Sequence, residues 1–289
     1  MTTGEPEPSR MSQDTSRLLT GARAGIVRRA GPGRALPPGD STDTHLHHGF
    51  MPMNDAPIID VTHSELNPVE EAVSQRRSLR GFLPKPVPET LLRRILELAG
   101  RAPSGTNMQP WLCHVLTGPA LARLTAALLA ASSDSETRNT SEFPYYPERF
   151  FEPYRGRRRK VGWDLYGLLG IEKGDYARTK AQHDRNLVFF NAPVGMIFKI
   201  HRDLRIGSWL DYGMFLQNVM ILARSHGLET CPQAAFSHFH TTIRQHVDIG
   251  DDYVVVCGMA LGYADWSRPE CALVVDREPL ASYARFASD

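Results

Sequence analysis

No Cys-x-x-Cys pair occurs in this chain. Its four cysteines, Cys113, Cys231, Cys257 and Cys271, are widely spaced, which argues against a zinc site and against a disulfide framework. Three of them sit in apolar stretches, where a reduced, buried thiol is the expected state. A reducing compartment, the cytoplasm, is the expectation, and no metal site is expected. No run of about 18 apolar residues is present, so no membrane-spanning helix is expected. A surplus of one charge is missing too. The formal net charge is +1, which gives no global field to attract nucleic acid or an anionic membrane. There is no Gly-x-Gly-x-x-Gly after a strand, no phosphate loop and no Gly-x-Ser-x-Gly elbow. Those absences exclude a Rossmann half, a P-loop nucleotidase and an α/β-hydrolase. No internal repeat is found.

What is present is ordinary globular material. Apolar residues make up 42% and charged residues 22% of the 289, enough for a core of normal size. Residues 1–55 stand apart. They are rich in Gly, Pro, Ser, Thr and Arg, without sustained apolar periodicity, and cannot bury enough surface to offset their ordering entropy. They read as a disordered tail, or as a mis-assigned start with Met51 or Met53 as initiator. His45, His47 and His48 fall in this tail and are given no metal role.

The folded domain is expected over 56–289. Asn67-Pro68 followed by Glu70 and Glu71 predicts a helix start. A second helix is predicted from Pro88-Glu89, with Leu91, Leu92, Ile95, Leu96 and Ala99 on one stripe. Leu112 to Thr117 reads as a strand, Pro119 to Ala131 as a helix, and Pro193 to Ile200 as a strand. Ser208 to His226 is the strongest helix, with Ser208 and Asp211 as a capping box and Gly227 as its stop. Its apolar residues run nearly all round, which predicts a buried central helix. Tyr253 to Gly262 reads as a buried strand. Helices and strands mix in one layered α+β domain, a central mixed or antiparallel sheet flanked by helices.

Two segments carry candidate chemistry. In Gln75-Arg76-Arg77-Ser78-Leu79-Arg80-Gly81-Phe82, an extended chain would put Arg76, Ser78 and Arg80 on one face. Two guanidiniums and a hydroxyl make an anion site, because the planar fork of arginine pairs with phosphate oxygens. The alternative is a solvated basic stretch without a ligand, which charge alone favours. In Ala102-Pro103-Ser104-Gly105-Thr106-Asn107-Met108-Gln109-Pro110-Trp111, small residues let backbone approach a flat ligand, and Asn107 offers a donor and an acceptor together. Alone it could equally be a rigid loop between prolines. His238 and His240 lie two apart and would share a face on a strand. Without a supporting Cys or carboxylate motif, they read as structural histidines.

Together the two segments resemble the signature of the FMN-dependent nitroreductase family. Three later stretches are similar as well: Ser208-Trp209-Leu210-Asp211-Tyr212-Gly213 on to Gly227, Cys231-Pro232-Gln233-Ala234-Ala235, and Gly258 to Tyr263, with Arg277 beyond. The resemblance covers roughly residues 65–289. It implies a dimeric nitroreductase-like fold. It also implies that Arg76, Ser78 and Arg277 hold the FMN phosphate, with Arg77 as another basic contact and Arg80 at the N1 and C2 carbonyl side of the ring. Pro103, Ser104, Gly105 and Asn107 would contact the flavin of the neighbouring subunit in a homodimer. The backbone of the loop around Pro232, Gln233 and Ala234 would face N5. Val275 stands where many members carry a lysine, so one cation of their phosphate grip is missing. Gln-Ala-Ala replaces the Glu-Gly of some members.

The implied activity is ping-pong hydride transfer from NADH or NADPH, through FMN, to a nitroaromatic or similar small aromatic acceptor. The chemistry resides on the cofactor, so no catalytic side chain is expected. The insertion at 132–184 is rich in aromatic and basic residues, among them Arg157, Arg158 and Arg159. It reads as a lid suited to an aromatic carboxylate or nitro compound, or else as a solvated surface. The competing functions are a reductive dehalogenase of halogenated phenols or tyrosines, a non-catalytic flavin-binding protein and, most weakly, nucleic-acid binding through Arg155 to Lys160.

Overall fold

The computed structural model describes residues 66–134 and 140–288. The expectations for the 1–55 tail, its histidines and the domain start at 56 lie outside the described residues.

The helices are α1 (Pro68–Gln75), α2 (Glu89–Ala99), α3 (Gly118–Ser133), α4 (Tyr154–Leu168), α5 (Tyr176–Asp184), α6 (Ile206–Ser225), α7 (His240–His246) and α8 (Leu280–Tyr283). The strands are β1 (Leu112–Thr117), β2 (Val194–His201), β3 (Glu229–Gln233) and β4 (Tyr253–Gly262), in spatial order β1-β2-β4-β3. All three pairings are antiparallel. A single isolated bridge, Ser78 to Thr230, runs parallel.

Local chemistry accounts for the element ends. The Asn67 side chain accepts from the Val69 and Glu70 N–H groups at 2.9 and 3.1 Å, and Glu70 accepts from the Asn67 N–H at 2.8 Å. This reciprocal box satisfies otherwise orphaned donors. At the end of α6, Gly227 takes φ +71°, the left-handed region where a Cβ is costly. The Leu228 and Gly227 N–H groups then reach the Ala223 and Arg224 carbonyls at 3.0 Å each, the paired Schellman closure.

The sheet is covered on both faces. On β2, Val194, Met196, Phe198 and Ile200 point into one apolar cluster with α2 and α6. Ile197 points into another, with Leu121, Leu124 and Leu128 of α3 and Ile243 of α7. Period-two alternation over a continuous apolar run thus serves two cores at once. The Trp111 ring stacks on Phe215 at 5.2 Å between centroids. The Tyr212 hydroxyl lies 2.8 Å from the Leu112 carbonyl and 3.1 Å from that of Lys199, fastening α6 to β1 and β2. Burial raises its pKa well above the ordinary tyrosine range.

Three expectations are corrected. The helix α6 begins at Ile206, after Arg205, with no side-chain cap. Ser208 is buried inside it, and Asp211 accepts instead from the Gly105 N–H at 3.0 Å, so the capping box does not form. Nor is α6 buried all round. Ser208, Tyr212, Phe215, Val219 and Ala223 make the buried stripe, while Ile206 is 88% and Leu210 72% exposed. An all-round apolar pattern cannot tell a face covered by the chain's own core from one it leaves open. Finally, Pro232 and Gln233 end a strand rather than sit in a loop. Proline is tolerated because its missing N–H removes nothing the pairing with β4 requires at that position.

Among the described residues, no helix is long and apolar enough to cross a membrane, and no group of three or more His, Cys, Asp and Glu is placed to hold a metal ion. His240 leads α7, with its Nδ1 3.5 Å from Glu142.

Candidate functional site

The chain leaves α1 extended, and its next residues lie along the outer edge of β3. The Leu79 N–H donates to the Thr230 carbonyl at 3.0 Å, and Leu79 is buried. Alternation then puts Ser78 and Arg80 on the other side of the segment. Arg76 meets Arg277 from the C-terminal tail. Burial first, and then the Arg277 guanidinium, hold the Arg76 pKa below its ordinary value, while Glu229 pulls the other way. Burial raises the Cys231 thiol to about 11, opposed by Arg80 and Arg76. Arg76 and Arg80 therefore both gather about Cys231 in β3, with Arg277 near enough for its charge to act on Arg76.

The donor set fits a phosphate. Among the described residues Arg76 donates no side-chain hydrogen bond. Among the described residues the side-chain hydrogen bonds of Arg277 stay within its own stretch, to the Val275 and Asp276 carbonyls at 3.1 and 3.0 Å. Two guanidiniums that act on each other repel, and an anion between them relieves that repulsion. On either side of Arg277, Asp276 and Glu278 pair with α4, to Lys160 at 3.3 Å and to Arg157 at 2.9 Å.

Arg77 takes the opposite face. Its guanidinium lies 5.5 Å from the Trp266 ring centroid, and its charge acts on Glu229, which Arg224 grips directly.

Arg80 is held both by its side chain, whose Nη1 donates to the Ser78 carbonyl at 3.2 Å, and by its backbone. Its carbonyl accepts from Arg185 Nη2 at 2.9 Å, and the Gly81 carbonyl accepts from the Asp265 N–H at 3.1 Å. A Cβ at Gly81 would lie 2.6 Å from Arg268 Cδ and 2.9 Å from Cys271 Sγ. Gly81→Ala is therefore expected to cost about 1–3 kcal/mol through overpacking and to weaken FMN retention, measured by thermal unfolding and flavin titration. Wild-type values for both would mean that this contact does not constrain Arg80.

Pro232 and Gln233 follow along β3, and Ala234 opens the short 3-10 turn after it. Ser78 bridges Thr230, so Pro232 lies two residues on, about 7 Å at the rise of a strand. The Gln233 amide is buried, and its Nε2 donates to the Asn186 carbonyl at 2.8 Å.

Pro103, Ser104, Gly105 and Asn107 are elsewhere. Their loop is tied to Asp211 near the start of α6, and the Gln109 N–H donates to Ser104 Oγ at 3.0 Å. Thr106, Asn107 and Gln109 hold φ of 49°, 62° and 49°, a strained turn that presents Asn107 outward. At the far end of α6, Arg224 reaches Gln75. From Asp211 to Arg224 is about 13 residues, or roughly 20 Å of helix. Within one chain the two signature segments thus sit at opposite ends of α6.

The insertion holds both rings and ion pairs. Phe143 lies 4.6 Å from the Trp209 ring, Tyr145 4.7 Å from Tyr146, and Tyr146 5.4 Å from Phe150. Glu142 anchors the run through Arg244, 3.1 Å away. Arg158 lies 4.6 Å over Phe150. The basic run of α4 is thus largely engaged with its own chain.

Sequence reasoning did not find Arg185, Asn186, Arg268 and Glu270, because no periodicity or motif signals a charge pair joined across so much chain. It also missed that Asp211 serves the Asn107 loop.

The Nitroreductase family pattern matches residues 73–263. A 4-nitrobenzoate reductase of Pseudomonas putida is 41% identical over 217 residues, 75% of this chain and 94% of that protein. A nitrobenzene nitroreductase of Ectopseudomonas oleovorans is 37% identical over 76% of this chain and 97% of its own length. Among solved structures, the FMN and NADPH-dependent nitroreductase NfnB of Sphigopyxis sp. strain HMH superposes with a TM-score of 0.74 at 37% identity, covering 76% of this chain and 99% of that one. With this match and the arginine segment, Asn107 loop and antiparallel sheet in place, the chain belongs to the nitroreductase family.

Proposed function

We propose that this protein is an FMN-dependent oxidoreductase that draws electrons from NADH or NADPH and reduces a nitroaromatic, with carboxylated nitroarenes such as 4-nitrobenzoate as the first acceptors to try. The observation that carries the reading is the gathering of Arg76 and Arg80 about Cys231 in β3, with the Arg277 charge acting on Arg76. Bound there, FMN would supply the redox chemistry, accepting a hydride equivalent and passing electrons on. Arg76, Ser78 and Arg277 bind its phosphate. Arg80 holds positive charge at the N1 side of the ring, where negative charge develops on reduction. The backbone at Pro232, Gln233 and Ala234 lies toward N5.

The working unit is a homodimer. The open apolar face of α6, with Ile206 and Leu210, supports it. So does the separation of the two signature segments, which lets Asn107 of one chain serve the flavin of the other. The aromatic run from Phe143 packs on Trp209, near the Asn107 loop, and forms part of a lid over the acceptor cleft. The cations Arg157 and Lys160 hold the tail that carries Arg277. Four free cysteines, three of them buried, suit the cytoplasm.

The test is to purify the protein, identify its flavin, and follow NADH and NADPH oxidation with 4-nitrobenzoate, nitrobenzene and halophenols. Stoichiometric FMN and nitroarene-dependent oxidation are expected. FAD, or no flavin after reconstitution, would reject the cofactor. Halide release without nitroarene turnover would move the chain to reductive dehalogenation.

A further inference from the structure

A turn outside both signature segments joins the two backbone stretches beside the flavin site. It follows α5. Arg185 Nη2 donates to the Arg80 carbonyl at 2.9 Å, and the Asn186 carbonyl accepts from the buried Gln233 amide at 2.8 Å. One pair of adjacent residues thus grips the Arg80 segment and the end of β3 together.

The turn is itself held by a buried charge. Glu270 has no exposed side-chain surface. Its Oε1 accepts from Arg185 and, at 2.8 Å, from Arg268 Nε, while Oε2 has no partner. A buried carboxylate is costly unless paired, so Glu270 holds Arg185 in place. Just beyond, Phe189, Phe190 and Asn191 take φ of 50°, 53° and 65°. Three successive residues in the left-handed region carry conformational strain that persists only where the surroundings over-determine it. The buried rings of Phe189 and Phe190 supply that constraint.

We infer that the Arg185–Asn186 turn is a clasp that sets Arg80 and Gln233 relative to the flavin ring, with Arg185 as a positioning residue acting through the Arg80 backbone. The inference rests on the proposed place of Arg80 at the N1 side. A guanidinium there favours reduced flavin only when correctly aimed, because the interaction falls off with distance. The Arg80 guanidinium donates only to the carbonyl of Ser78 on its own segment, so freeing the Arg80 carbonyl lets that segment, and the side chain with it, drift.

The experiment measures the reduction potential of FMN bound to the purified holoprotein, with thermal unfolding of the FMN-free protein alongside. The variants are Arg80→Met, Arg185→Met, the double Arg80→Met/Arg185→Met, and Arg185→Met with Glu270→Leu. The last removes both buried charges and covers the case in which Arg185→Met alone does not fold. Arg80→Met should make the potential more negative. Either removal of Arg185 should shift it the same way, and the double Arg80→Met/Arg185→Met should shift no further than Arg80→Met alone. Non-additivity is the mark of action through one group. If the shifts add, Arg185 acts by its own charge and the clasp is wrong. If Arg80→Met shifts the potential while removal of Arg185 changes only thermal unfolding, the turn is merely structural. If Arg80→Met itself leaves the potential unchanged, the placement of Arg80 falls, and the clasp with it.

Discussion

Arg76→Glu should strip the protein of FMN. The side chain is partly buried, the Arg277 charge acts on it, and among the described residues it donates no side-chain hydrogen bond. A carboxylate there removes a charge-assisted grip and faces a phosphate with like charge. Removing one partner of a buried charge pair costs roughly 2–5 kcal/mol, which is at least about 30-fold in FMN affinity. Flavin fluorescence titration of the FMN-free protein reads this directly. Arg77→Met is the control. It differs by one position and charge, but its native side chain lies over Trp266, so its affinity should stay close to wild type. Equal losses at both positions would mean that the basic stretch acts by bulk charge, without the face selectivity an extended chain imposes.

Mixed dimers of Arg76→Glu and Asn107→Asp chains should recover activity that neither homodimer has. The reason is geometric. Gly105 is tied to Asp211 and Gln75 to Arg224, at the two ends of α6, and in the proposed homodimer one chain holds the phosphate while its partner presents Asn107. A heterodimer then has one site with both lesions and one with neither. Isolated through two different affinity tags, it should show roughly half the wild-type activity per dimer, as two-fold symmetric sites require. No recovery, or an active monomer in sedimentation, would sink the shared-site arrangement.

Both experiments start from residues legible in the sequence, yet their informative contrasts come from three dimensions. Arg76 and Arg77 are equivalent as letters. The parity of an extended strand, with Leu79 buried, puts Arg76 on the face of Ser78 and Arg80, the proposed phosphate site, and Arg77 over Trp266. The Asn107 loop could be read as a contact, but its attachment to Asp211 could not, since Asp211 looks like a helix cap. The basic run of α4 read either as part of a substrate lid or as solvated surface, and its letters gave no sign that Arg157 and Lys160 pair with Glu278 and Asp276 of the tail.

The local elements were legible in the letters alone: the Asn67 cap, the Gly227 stop, the apolar stripe of α2, and the strands at 112–117 and 253–262. Each is set by interactions within a few residues, such as caps, φ preferences and periodic burial, which neighbouring letters encode. The sequence also determined the family, because the two signature segments carry a fixed set of polar and small residues. Folding was needed to settle which face of α6 stays open, to bring the Arg277 charge to bear on Arg76, and to join Glu270, Arg185 and Arg80 in one chain of contacts. Those depend on residues far apart in sequence being brought together. The desolvation that makes a buried pair such as Arg185 and Glu270 consequential exists only once the core has closed around it.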